Sequence, residues 1–120
     1  MIKKIITIAL FSANAAAATF VHPMDFDNSK PQRQQVVDYI KSVVNHEYCK
    51  KMDMCTPSTL RMMERSNLKA FKQLTTAKNR KLMDRMIHDY CRSSLRVCSY
   101  TTIKMMYAHN LSASKQQLEW

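Results

Sequence analysis

Four cysteines are the residues here whose chemistry is most tightly constrained by spacing. Cys49 and Cys55 lie within HEYCKKMDMC (residues 46–55), and Cys91 and Cys98 bound CRSSLRVC (residues 91–98). Paired thiols serve zinc, thiol–disulfide exchange, haem attachment or structural bridging. Zinc sites favour C-x2-C pairs, exchange sites use C-x-x-C and haem attachment uses C-x-x-C-H, and none of these spacings occurs. His46 and His88 each stand three residues before a cysteine, which sketches a Cys/His ligand set without the usual spacing. Two structural disulfides are the reading that fits, and they require an oxidising compartment.

The start of the chain supplies a route to one. MIKKIITIALFSANAAAATF begins with Lys3 and Lys4, continues as an uncharged apolar run from Ile5 to about Ala18, and ends in small residues offering A-x-A sites such as Ala16–Ala18. That is the layout of a cleaved secretory signal peptide, 1–18. The run falls short of the roughly twenty residues a spanning helix needs. Cleavage near Ala18 removes two lysines and no acid, so the formal charge falls from +10 to +8. No transmembrane segment is expected in the mature chain, which reads as one exported domain.

The elements that must position the sulfurs are helical. The chain has no glycine, the residue that usually supplies the positive φ of tight hairpins and phosphate loops. It is rich in Met, Leu, Lys, Arg and Gln, which favour helices. Residues 19–28 read as an extended leader around Pro23. Asn28 or Ser29 offers a cap for a first helix over 31 to about 49, with Val36, Val37, Ile40, Val43 and Val44 on its buried face. Thr56–Pro57 starts a second helix, whose apolar side is Leu60, Met63, Phe71 and Leu74. After a turn at 75–79, Leu82, Met83, Met86, Ile87, Tyr90 and Leu95 carry a third helix to about Cys98. A fourth, with Ile103, Met106 and Tyr107, ends near Asn110, and 111–120 reads as a polar tail. The expected fold is all-α: a small disulfide-crosslinked bundle of about four helices, the stapled domain covering 29–110.

The helix assignment bears on connectivity. Seven residues of continuous helix span about 10.5 Å, whereas bridged Cα atoms lie within about 7 Å. A third helix running through Cys98 therefore excludes a Cys91–Cys98 bond, and antiparallel packing of the second and third helices then favours Cys55–Cys98, leaving Cys49–Cys91. A break at Ser93–Ser94 would instead allow Cys49–Cys55 and Cys91–Cys98.

Two basic stripes follow from the same helices. Arg61, Arg65, Lys69 and Lys72 recur at helical spacing along the second helix; Lys78, Lys81, Arg85, His88, Arg92 and Arg96 do so along the third. With the charge of +8 they point to an anionic partner surface. No nucleic-acid-binding motif or stacking aromatic pattern accompanies them, which argues against direct nucleic-acid contact. Met62–Met63, Met83/Met86 and Met105–Met106 are expected to fill the core rather than bind Cu(I). The histidines at 22, 46, 88 and 109 form no ligand cluster and read as surface or capping residues; no metal or other cofactor is expected. A nucleophile elbow, a phosphate loop and a carboxylate pair are all missing, so no catalytic residue is assigned and the chain is not read as an enzyme.

The order YCKKMDMC, TPSTLRMMERSNLKAF, MDRMIHDYCRSSLRVC resembles the TrbM/KikA/MpfK family of conjugal-transfer proteins, closest to its KikA-type members, over roughly residues 36–107. The resemblance implies a periplasmic accessory factor of a plasmid-encoded type IV secretion system in a Gram-negative bacterium. Such a factor supports conjugative DNA transfer or pilus biogenesis by binding envelope proteins, without catalysis. It implies a structural role for Cys49, Cys55, Cys91 and Cys98. The competing reading is a periplasmic immunity protein that plugs the cleft of a secreted antibacterial effector. A third is a cationic membrane-active protein built on an amphipathic helix.

Overall fold

The computed structural model describes residues 18–91 and 98–120. Each of its four helices opens on a polar cap. Ser29 Oγ accepts the Gln32 N–H at the start of α1 (Lys30–Asn45), and Thr56 Oγ1 accepts the Thr59 N–H at the start of α2 (Pro57–Leu74). Asn79 Oδ1 accepts the Leu82 N–H before α3 (Arg80–Cys91), and Ser99 Oγ accepts the Thr102 N–H before α4 (Tyr100–Ala113). Each such cap is worth about 1 kcal/mol.

α1 does not end freely: a turn of π-helix, His46–Lys51, extends it past Cys49. Asp53 then adopts φ 49°, and the Met54 N–H donates to the Tyr48 carbonyl at 2.7 Å. This reversal brings Cys55 back to Cys49, Cα to Cα 4.5 Å, and the two are bonded. Without glycine, the left-handed positions fall to Asp53 and to Asn28 (φ 65°), whose short polar side chains tolerate that region.

α2 packs against α1 on one side and α4 on the other, and α3 packs on α4. The α1/α2 pair is antiparallel: residues 33–37 lie beside 68–75, and 37–41 beside 64–68. Between the helices runs a chain of aromatic rings. Phe26 meets Phe71 edge-on at 5.0 Å, Phe71 meets Tyr100 at 4.8 Å, Tyr100 meets Tyr39 at 5.5 Å, and Phe20 sits 5.3 and 5.4 Å from Tyr39 and Tyr100. Val36, Ile40, Val44, Leu74, Met83 and Ile103 close around it.

The two central tyrosines have no water to bond, so each finds irregular backbone. Tyr39 Oη donates to the Cys98 carbonyl at 2.7 Å and accepts the Cys98 N–H at 3.2 Å. Tyr100 Oη donates to the Val21 carbonyl at 2.8 Å and accepts the Val21 N–H at 3.2 Å. The leader is thus pinned into the core through Val21, flanked by Phe20 and Phe26. Its middle forms a short 3₁₀ turn, Pro23–Asp25. It belongs to the packed domain rather than preceding it.

The all-α, four-helix expectation holds, with two corrections. The third helix does not run to Cys98. α3 ends at Cys91, and Cys98 lies just before α4 with a Cα–Cα distance of 4.9 Å, so these two cysteines bond each other. The favoured Cys49–Cys91 and Cys55–Cys98 bridges are therefore replaced by local ones. Their premise was an unbroken helix and an α2/α3 pairing, whereas α3 packs on α4. Second, α4 continues to Ala113, and Leu111 packs against the core, so the polar tail begins three residues later than expected. Of the expected signal peptide only Ala18 is described, half-buried against the core; Ser93, Ser94 and Leu95 also lie outside the described residues.

Closing loops of six or seven residues stabilises by about 2.5 kcal/mol per bridge on the chain-entropy model, less than the ~4 kcal/mol of a long loop. A non-reduced proteolytic digest should yield peptides joining 49 to 55 and 91 to 98, each split by cleavage at the basic residues between. Recovery of a 49–91 or 55–98 peptide would contradict this topology. Burial pushes the Tyr39 phenol up to about 12, and Tyr100 higher still, from the ordinary value of 10.0. A raised folded-state value contributes stability below pH 10 that is lost as pH rises through it. Two of the five tyrosines should accordingly ionise only with unfolding, seen as a delayed absorbance step near 295 nm that coincides with loss of helical circular dichroism.

Candidate functional site

The second helix carries one acid, Glu64, among four cations, and its inward face is fixed by Ala70, Phe71 and Leu74. Burial of that face leaves Arg61, Arg65, Lys69 and Lys72 exposed. Arg61 is neutralised by Glu64, with Nη1–carboxylate distances of 2.7 and 3.0 Å. Among the described residues no carboxylate lies within ion-pair distance of Arg65, Lys69 or Lys72.

Grooves flank this stripe on both sides, and each adds positive charge from another helix. Over α1 and α2, a concavity of about 640 Å³ is lined by Phe26, Val36, Val37, Leu68 and Phe71 with Arg33 and Lys72 at its edge. A second one, of about 170 Å³, continues it past Val37 and Leu68 to Ile40, with Lys41 and Arg65 at its edge. Over α2 and α4, a more polar concavity of about 470 Å³ places Lys69 across from Lys104 and His109.

The third helix differs. Lys81 and Arg85 are exposed on α3, and Lys78 is exposed but lies before the helix rather than on it; Arg85 Nε donates to Asp89 at 2.8 Å and His88 also lies against Asp89. Arg92 and Arg96 lie outside the described residues. Arg80, not singled out from the sequence, holds Asp25 of the leader through both guanidinium nitrogens and lies within 3.5 Å of Asp84. His22 completes this cluster: its Nδ1 accepts the Met24 N–H, so the proton sits on Nε2 and is donated to Asp84 at 2.7 Å. On α3, Arg80 thus fastens the leader and Arg85 pairs along its own helix, while on α2 only Arg61 is paired. The two stripes sit on helices separated by α4.

Other sequence expectations divide similarly. Met83 and Met86 are buried, and Met63 and Met106 pack against the core. Met62 and Met105 point outward, at 56% and 53% exposure, so each doublet places one sulfur inside and one outside. Val37, expected in the core, is half-buried and forms groove floor instead. His22 caps the 3₁₀ turn, His88 and His109 are exposed, and His46 is half-buried. Among the described residues, no three His, Cys, Asp or Glu side chains converge as metal ligands would, and no helix is long and apolar enough to cross a membrane.

Comparison with known proteins found no matching family model, no similar curated protein and no similar solved structure.

The Asp25, Asp84 and Asp89 carboxyls are all held below the ordinary 3.8. Hydrogen bonds from Arg80, His22 and Arg85, respectively, favour their ionised forms. A depressed carboxylate contributes stability above its unfolded value, and that stability is lost as pH falls through the folded one. Melting temperature should therefore be flat near neutrality and decline below about pH 4. Arg80→Ala should shrink the acid-side slope and raise amide exchange over 19–28 selectively; an unchanged slope would remove the leader clamp as its source.

Proposed function

We propose that this protein is a non-catalytic accessory factor of the bacterial envelope, acting in the periplasm of a Gram-negative cell within a plasmid-encoded type IV secretion system. In this reading it supports conjugative DNA transfer or pilus biogenesis by docking onto other envelope proteins. The observation that carries it is the free basic stripe of α2: among the described residues Arg65, Lys69 and Lys72 stand without an ion-pair partner between two grooves, whereas Arg80 and Arg85 on α3 are both paired.

The physical case is one of preorganisation. Exposed cations give little binding free energy individually, about 0–1 kcal/mol each, yet they steer encounter and fix register against an acidic surface. A rigid scaffold spares the ordering cost that mobile lysines on a loop would incur. Two local disulfides, four capped helices and a leader fastened into the core supply that scaffold. Disulfides of this kind fit an exported protein. The resemblance of YCKKMDMC and MDRMIHDYCRSSLRVC to conjugal-transfer proteins gives the partner class.

Deleting the gene from donor cells should lower plasmid transfer frequency, and wild-type protein should restore it. A triple variant, Arg65→Glu, Lys69→Glu and Lys72→Glu, should accumulate to the same level without restoring transfer. Transfer that is unaffected by deletion would remove this reading.

A further inference from the structure

The proposed function leaves open which groove is used and what fills it. The groove between α1 and α2 is apolar along its floor. Val36 and Phe71 form its base, while Val37 and Leu68 are half-buried at the point where its two concavities meet. Its borders are cationic: Arg33 and Lys41 on α1 face Arg65 and Lys72 on α2. The one acid lining it, Glu64, is already held by Arg61 through both carboxylate oxygens.

We infer that this groove receives a short amphipathic helix of a partner protein, apolar along one stripe and carrying carboxylates on both flanks. This rests on the docking role above and specifies its site. The borders run from 33 to 41 on α1 and from 64 to 75 on α2, about 12 and 16 Å of helix axis, which matches two to three turns of a third helix laid between them. The walls are helices whose backbone groups are already paired internally. An extended peptide would find no ladder of donors and acceptors, whereas a helix satisfies its own backbone and offers anchors at i, i+3 or i+4, and i+7. The Phe71 ring at the base of the groove, 1% exposed, offers no open face on which a nucleic-acid base could stack. Cations along both borders select acids on both flanks and reject a basic helix of the same shape.

The test uses the intact mature protein and two fluorescent synthetic peptides of about fourteen residues, long enough to cover the groove. Both share one Leu/Ile stripe at helical spacing; one carries Glu on its flanks, the other Lys. Saturable anisotropy with the Glu peptide alone is expected. The double variant Arg65→Glu, Lys72→Glu should weaken it at least tenfold, and Leu68→Asp similarly, while Lys81→Glu on α3 leaves it unchanged. Circular dichroism and melting of each variant check that it folds, and the two groove variants disturb different features of the site. Equal binding of both peptides, indifference to the groove variants, or tighter binding to phosphatidylglycerol vesicles than to the Glu peptide would each overturn the proposal. The two readings fail separately. Peptide binding in a protein whose deletion leaves transfer intact keeps the groove and removes the secretion role. Transfer that needs the gene but tolerates Leu68→Asp does the reverse.

Discussion

Two phenol hydroxyls, each giving and receiving one hydrogen bond with a single backbone residue, hold the structure together. A buried polar group left unpaired costs about 1–3 kcal/mol, and irregular segments are where unpaired backbone collects. Tyr39 and Tyr100 meet both needs at once. Their rings join helix to helix within the aromatic ladder, and their oxygens satisfy both the N–H and the carbonyl of Cys98 and Val21. The segments entering α4 and preceding α1 are thereby fixed relative to the core without regular structure of their own.

This arrangement gives the disulfides a narrow task. Both bridges close short loops, Cys49–Cys55 at the end of α1 and Cys91–Cys98 between α3 and α4. Neither crosses the core. Tertiary cohesion comes from the aromatic ladder and the aliphatic residues around it, and the bridges limit fraying where α1 and α3 end. The position of Cys98 is set twice, by its sulfur and by Tyr39. The basic helix α2 lies between the two helices it packs on and also touches the leader's 3₁₀ turn, so its cations face outward on the most supported element of the fold.

Most of the helical layout was legible because its signals are local. Ser29 and Thr56–Pro57 cap the helices they begin, and the spacing of Val36, Ile40, Val43 and Val44 marks a face that is indeed buried. What was not legible depended on contacts distant in sequence. Phe20, Val21 and Phe26 carry no helical period, so a leader that enters the core looks like a leader that does not. The apolar periodicity of Met83, Met86, Ile87 and Tyr90 carries no sign of the short closure between Cys91 and Cys98. For the site, spacing found the α2 stripe but could not distinguish its free cations from those of α3, because Asp25 and His22 arrive from the far end of the chain. Val37 has the period of a core residue, yet it and Leu68 stand half-buried in the groove between α1 and α2.

The hydrogen bonds between Val21 and Tyr100 join positions 79 residues apart. Contacts of such separation are entropically late to close, and this one requires nearly the whole chain to be present. Until α4 is in place, Val21 lacks the hydroxyl that pairs both its backbone groups, and Phe20 lacks one of the two rings it packs on. Closure of the leader over the core is thereby tied to the docking of α4, the last helix of the chain.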